Sequence, residues 1–212
     1  MTKTDSSEPT RGLSTEERIL AAAEKEFMQK GYAGARTTTI AEAAGVTHAM
    51  LHYYFRTKDK LFEKIIDQKI LLLRDIILES VGVPEMDLFE KIRSVIRSHL
   101  DFIARNPDLP RFMIGEIFSH PDRMEMVLRH LQKYAPLVVT QLQKQIDDYT
   151  AEGRCRRVDA GMLMLDILSL NVFPFMASPM VYPLLGWRVD DSEFVEARKK
   201  ENVETIMRKL LP

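Results

Sequence analysis

Apolar residues recur at three- and four-residue intervals along almost the whole chain, and no stretch alternates convincingly at period two or carries an Asn-Gly hairpin signal. The pattern predicts an all-α fold. Ile19, Leu20, Ala23 and Phe27 define one stripe of a first helix opening at Ser14 or Thr15, with Ser14 and Glu17 spaced as a capping box. Gly31 is expected to stop that helix, leaving Tyr32 to Arg36 as a loop. A short second helix runs from about Thr38 to Ala44, capped by Thr37, or by Thr39 paired with Glu42. Gly45 makes a tight turn into a third helix, His48 to Phe55, capped by Thr47. A fourth follows Thr57 and continues to about Ser80, where Gly82, Val83 and Pro84 break it; its length suits an element joining two modules. Further helical segments fall at about 86–105, 108–119, 121–152, 158–176 and 191–210. Their borders are Asn106-Pro107, His120-Pro121, Gly153 and the proline-rich stretch PFMASPMVYPLLG, and Pro136 is expected to kink its helix. The organisation is a polar tail over residues 1–13, a three-helix head over 14–62 and a larger helical body over 63–212, with no internal repeat.

The third helix carries the most distinctive chemistry. Leu51 and Phe55 are four apart and face inward toward Phe27, Ile40, Ala41 and Ala44, which leaves His48, Ala49, His52 and Tyr53 outward. A small residue beside two imidazoles and a phenol suits a major-groove face: alanine allows close approach and the rings reach base edges or phosphates. Helix N-termini at Thr37 and Thr47 offer N–H groups to phosphates, and Lys58 adds a charge beside a third. Between Gly45 and Lys64, Arg56, Lys58, Lys60 and Lys64 outnumber Asp59 and Glu63. The same layout also fits a plain three-helix packing unit, because helical hairpins with a glycine turn are common and mostly bind nothing.

Composition narrows the picture. An apolar content of 45% over 212 residues supports a real core, and a net charge of −1 means that any affinity for nucleic acid must come from a local patch. The one cysteine, Cys155, permits no intramolecular disulfide, and the polar N-terminal residues lack the apolar segment of a secretion signal, so a cytoplasmic protein is expected. The longest apolar run, Met162 to Met180, contains Asp166, Asn171, Pro174 and Pro179 and reads as a buried helix with a broken end rather than a membrane span. Cys155 lies in GRCRR, where basic neighbours favour a lowered thiol pKa. His99, His120 and His130 lack the i, i+4 spacing of a helical metal pair, so no metal is expected. Glu116, Asp166 and Asn171 interrupt apolar stretches; pairing with a neighbouring helix or facing solvent is favoured over greeting a cationic ligand. No nucleophile–base pair or phosphate loop points to an enzyme.

The stretch ERILAAAEKEFMQKGYAGARTTTIAEAAGVTHAMLHYYFRTKDKLF carries a specific likeness through Phe27, Gly31-Tyr32, Thr37-Thr38, Ala41, Ala44-Gly45-Val46, Leu51, Tyr53-Tyr54-Phe55, Lys58 and Leu61. It resembles the N-terminal domain of the TetR family of bacterial transcriptional regulators over about the first 65 residues; the rest matches in length and helical pattern only. The resemblance implies a homodimer on a pseudo-palindromic double-stranded DNA operator, with no cofactor and no membrane, in the bacterial cytoplasm and associated with the nucleoid. It places Thr37, Tyr53, Tyr54 and Lys58 on phosphates, and Thr38, His48, Ala49 and His52 where bases are read. Relatives often carry lysine at position 48 and tyrosine at position 52. The two histidines therefore depart from the family, and they predict DNA affinity that varies with pH near neutrality.

The resemblance further implies repression relieved by a small-molecule effector of unknown identity, held in the body. Candidate lining residues are Phe102, Phe112, Met113, Glu116, Tyr134 and Phe173, each also readable as ordinary core. Leu165, Leu168, Val172, Phe194, Val203, Ile206 and Leu210, on the last two predicted helical segments, are the expected dimer interface, with packing inside the subunit as the alternative. An all-α small-molecule enzyme and a ligand-independent DNA-binding protein are the competing readings.

Overall fold

The computed structural model describes residues 12–81 and 86–212. Among these the chain is all-α: α1 (Thr15–Gly34), α2 (Thr37–Ala43), α3 (His48–Phe55), α4 (Lys58–Val81), α5 (Leu88–Arg105), α6 (Leu109–Phe112), α7 (Pro121–Leu131), α8 (Ala135–Ala151), α9 (Ala160–Met176), α10 (Ser178–Leu185) and α11 (Ser192–Leu210). A π-helical segment, Met113–Phe118, continues α6. The chain divides into two compact units, one ending at Lys69 and the other beginning at Ile70, so α4 contributes to both.

In the first unit, Ser14 caps α1 reciprocally with Glu17: the Glu17 N–H donates to Ser14 Oγ at 3.2 Å and the Ser14 N–H to Glu17 Oε2 at 2.7 Å. The α1 stripe of Ile19, Leu20, Ala23 and Phe27 is buried with Ile40, Ala41, Ala44, Leu51, Phe55, Leu61, Phe62, Ile65 and Ile66. Each fully buried aliphatic or aromatic side chain here is worth about 1.5–3 kcal/mol. Phe27 and Tyr32 both meet Phe62 edge-on, at centroid distances of 5.3 and 5.1 Å. Gly31 takes a left-handed φ of 68°, but it kinks α1 rather than ending it, since the helix resumes to Gly34.

In the second unit, Leu88, Ile92 and Ile96 of α5 pack with Leu142 and Ile146 of α8, Leu163 and Ile167 of α9, and Ile206, Met207 and Leu210 of α11. The four-residue spacing along α5 puts those apolar groups on one face. Asp87 caps α5 by accepting from the Phe89 and Glu90 N–H groups, and it also accepts from the Tyr149 hydroxyl at 2.9 Å.

Proline explains two departures from the sequence expectation. Pro136 does not kink one long helix; it opens α8, separated from α7, because it has no N–H and fits the first turn. The stretch expected as a break instead forms the end of α9 and all of α10, bent by 71° at Ala177, with Pro179 in the first turn of α10. Among the described residues, no single helix is long and apolar enough to cross a membrane.

Candidate nucleic-acid interface

Gly45 sets the angle between α2 and α3 with a φ of 65°, where a side chain would be strained although its Cβ would meet nothing closer than Arg18 Nη1 at 3.9 Å. The start of α2 is pinned from the core: the nearly buried Glu26 carboxylate accepts from the Arg36 N–H at 3.3 Å and pairs with Lys30 at 2.9 Å. Lys30, then burial in opposition, are the main influences on the Glu26 pKa, which is lowered overall. Thr47 caps α3 through the Met50 N–H, and Thr57 caps α4 through the Lys60 N–H, each at 3.2 Å. Thr37 is not the cap of α2 that its sequence position suggested. It is the first helical residue, with Arg36 before it, and its hydroxyl lies 3.0 Å from His48 Nε2 instead.

These constraints leave one face of α3 in solvent. His48, Ala49, His52, Tyr53 and Tyr54 are exposed, as is Thr38 of α2, and Tyr53 is 83% exposed. The His48 and His52 rings meet edge-on at 4.4 Å, and the Tyr53 and Tyr54 rings at 5.6 Å. His52 Nδ1 lies 3.0 Å from the Arg56 carbonyl, an acceptor, so Nδ1 carries the proton and donates. In the neutral ring the outward Nε2 is then a lone-pair acceptor. Lys58 Nζ sits 4.6 Å from the Tyr32 ring centroid, and the Tyr32 hydroxyl donates to Asp59. Tyr32, expected in a loop, thus positions the first turn of α4; its one signal in the sequence is its place after Gly31. Lys60 is paired with Glu63 at 2.6 Å.

The body residues singled out in sequence scatter. Phe102 and Phe112 are buried, Met113 is half-buried and Phe173 is 63% exposed. Glu116 pairs with Arg123 at 2.7 Å, and the Arg74 guanidinium lies 5.3 Å from the Tyr134 ring centroid. A cavity in the second unit is lined by none of these six. Its wall comes from α4, α5, α8 and α9, including Lys91, Ile92, His99, Leu142 and Ile167. Of the expected interface residues, Ile206 and Leu210 are buried in the subunit's own core and are unavailable to a partner, while Val172, Phe194 and Val203 are half-buried. Leu165 and Leu168 of α9 are exposed, so that helix is not buried all round. Cys155 is buried, and burial pushes its thiol pKa up, opposite to the lowering expected from its basic neighbours.

An α2–turn–α3 pair held over a three-helix core, with a polar and aromatic outward face on α3, defines a helix-turn-helix unit, here followed by an all-helical second unit. Residues 19–65 match the family model described as "Bacterial regulatory proteins, tetR family", and residues 89–206 match "Tetracyclin repressor-like, C-terminal domain". The chain belongs to the TetR family and is a DNA-binding transcriptional regulator. Similar proteins include the nucleoid occlusion factor SlmA of Haemophilus influenzae, 26% identical over 170 residues, which are 79% of this chain and 74% of that protein. The HTH-type transcriptional regulator YdgC of Bacillus subtilis is 25% identical over 55% of this chain and 60% of its own length. The HTH-type transcriptional repressor SCO4008 of Streptomyces coelicolor is 32% identical over 49% of this chain and 50% of its own. The fold is shared with the ketosteroid transcriptional regulator KstR2 of Mycobacterium tuberculosis at a TM-score of 0.71 and 13% identity, covering 94% of this chain and 96% of that one. It is also shared with the transcriptional regulator SCO4942 of Streptomyces coelicolor at 0.67 and 23%, covering 93% and 98%.

Proposed function

We propose that this protein is a homodimeric cytoplasmic repressor that holds an operator through α3 and releases it when a small molecule enters the second unit. The observation that carries the reading is the solvent-facing set of His48, Ala49, His52 and Tyr53 on one eight-residue helix. Thr38, His48, Ala49 and His52 read bases, and Thr37, Tyr53, Tyr54 and Lys58 hold phosphates. With Nδ1 donating to the Arg56 carbonyl, His52 offers Nε2 as an acceptor, which suits the amino group of adenine or cytosine. His52→Phe keeps the ring and removes that acceptor, so it should weaken operator binding, and unchanged affinity would remove this role.

The dimer rests on α9 and α10. Leu165 is 58% exposed, and Met162, Leu168, Phe173, Met180, Tyr182, Leu184 and Leu185 are also exposed, far more apolar surface than scattered single residues produce. Leu165→Asp gives a monomer in sedimentation, and an unchanged dimer would count against this face. Signal and response share α4, which supplies Ile77 to the cavity wall and Phe62, Ile65 and Ile66 to the first unit's core. A ligand that shifts α4 moves two coupled heads off successive major grooves, so a small rotation loses both sets of contacts.

Selection of bound DNA from genomic fragments tests the whole reading. The expected product is a two-fold-related motif near promoters; recovery of fragments without any shared motif would overturn it.

A further inference from the structure

Of the cations that follow α3, namely Arg56, Lys58, Lys60 and Lys64, Lys58 is held differently from the rest. It is the first residue of α4, at the positive end of the helix dipole, where an anion is favoured and a cation is not. It is half-buried, whereas Arg56, Lys60 and Lys64 are exposed. Lys60 is paired with Glu63 at 2.6 Å, but among the described residues no carboxylate pairs with Lys58. What holds its ammonium is the face of Tyr32, with Nζ 4.6 Å from the ring centroid.

Tyr32 is itself set by the core of the first unit. The left-handed Gly31 kinks α1 immediately before it. Its ring lies parallel to that of Phe27 at 6.1 Å and edge-on to that of Phe62 at 5.1 Å, and both phenylalanines are buried. Its hydroxyl donates to Asp59 Oδ1. An aromatic face attracts an ammonium without cancelling its charge, so the Lys58 N–H bonds remain free to donate to an outside anion. A carboxylate in the same place would neutralise it. Asp59 is the carboxylate nearest to Lys58 in sequence, and the Tyr32 hydroxyl engages it instead.

We infer that Tyr32 is a positioning residue for DNA binding: its ring face presents the uncompensated Lys58 ammonium to a phosphate, and its hydroxyl keeps the Asp59 carboxylate from pairing with that ammonium. Holding a flexible lysine stem in place before DNA arrives removes part of the ordering cost of the contact. The inference rests on the proposed phosphate contact of Lys58 and assigns the residue that prepares it.

The test is fluorescence anisotropy of the full-length protein on fragments it selects from genomic DNA, read as affinity and as the slope of log affinity against log salt. Lys58→Ala should reduce that slope by about one. Tyr32→Leu removes the ring and should weaken binding by about fivefold. In a chain that already carries Lys58→Ala, the same change should weaken it by less than about 1.5-fold, because the two residues act as one unit. Tyr32→Phe keeps the ring but frees Asp59; its expected loss is about twofold, and adding Asp59→Asn should restore full affinity. Equal Tyr32→Leu losses with and without Lys58, or a Tyr32→Phe loss that is absent or that Asp59→Asn fails to reverse, would overturn the inference while leaving the Lys58 contact in place. Unchanged affinity and slope in Lys58→Ala would remove the contact itself, and the inference with it. Should Tyr32→Leu not fold, the Tyr32→Phe and Asp59→Asn comparison decides alone.

Discussion

His48, His52 and Tyr53 stand in solvent on a helix of eight residues, whereas His99, Asn171 and Asn202 lie buried between α5, α9 and α11. The first group is arranged by contacts close in sequence: a cap at Thr47, a turn at Gly45 and a Thr37–His48 contact only eleven positions long. The second depends on partners 72 and 31 positions apart. A surface reading site can therefore be altered almost independently of stability, because its groups keep water when a neighbour is lost. An internal donor network cannot, because each orphaned group is left without solvent.

The largest stability effect is therefore expected at Asn171. Asn171→Ala takes away the partner of His99 Nδ1 and of Asn202 Nδ2, both buried, and should cost about 3 kcal/mol in denaturant unfolding. A loss below about 1 kcal/mol would erase the contrast between the units. The pH dependence of stability comes next. The folded pKa of His99, about 4, lies below the ordinary value near 6.5, so the unfolded chain binds the proton more readily. Stability is complete above pH 6.5 and falls as pH drops toward 4, by about 2 kcal/mol at pH 5. Urea unfolding at pH 7.5 and pH 5 checks this, and His99→Gln should flatten the profile. Smaller still is Gly45→Ala, which forces a side chain into a left-handed backbone and should cost about 1–2 kcal/mol. It also tilts α3, so its loss of DNA affinity should exceed what unfolding alone explains. Lys58→Ala is the mildest, changing stability by less than about 0.5 kcal/mol and reducing the salt slope of DNA binding by about one.

The same contrast governs what could be read in the sequence. The Ser14–Glu17 box, the Thr47 cap, the α3 boundaries and the inward pair Leu51 and Phe55 were all legible, since each depends on spacing within one or two turns. Thr37 was misread as a cap because its attraction to His48 crosses a turn. In the body, aromatic residues drew attention as pocket candidates, but the cavity described above is walled mainly by aliphatic side chains from four helices. Asn171 stands out as a polar residue in an apolar run; Asn202 does not, and His99 is noticeable only as a candidate metal ligand, because no local pattern links the three. Ile206 and Leu210 were expected at the dimer face on periodicity, which identifies an apolar stripe but not whether it faces the subunit's own core or a partner.

Whether α3 and the start of α4 hold DNA is decided by fluorescence anisotropy on fragments selected by the protein. His48→Ala combined with Lys58→Ala should weaken binding by about a hundredfold while leaving the melting temperature unchanged. Unchanged affinity in the folded double variant would contradict the claim.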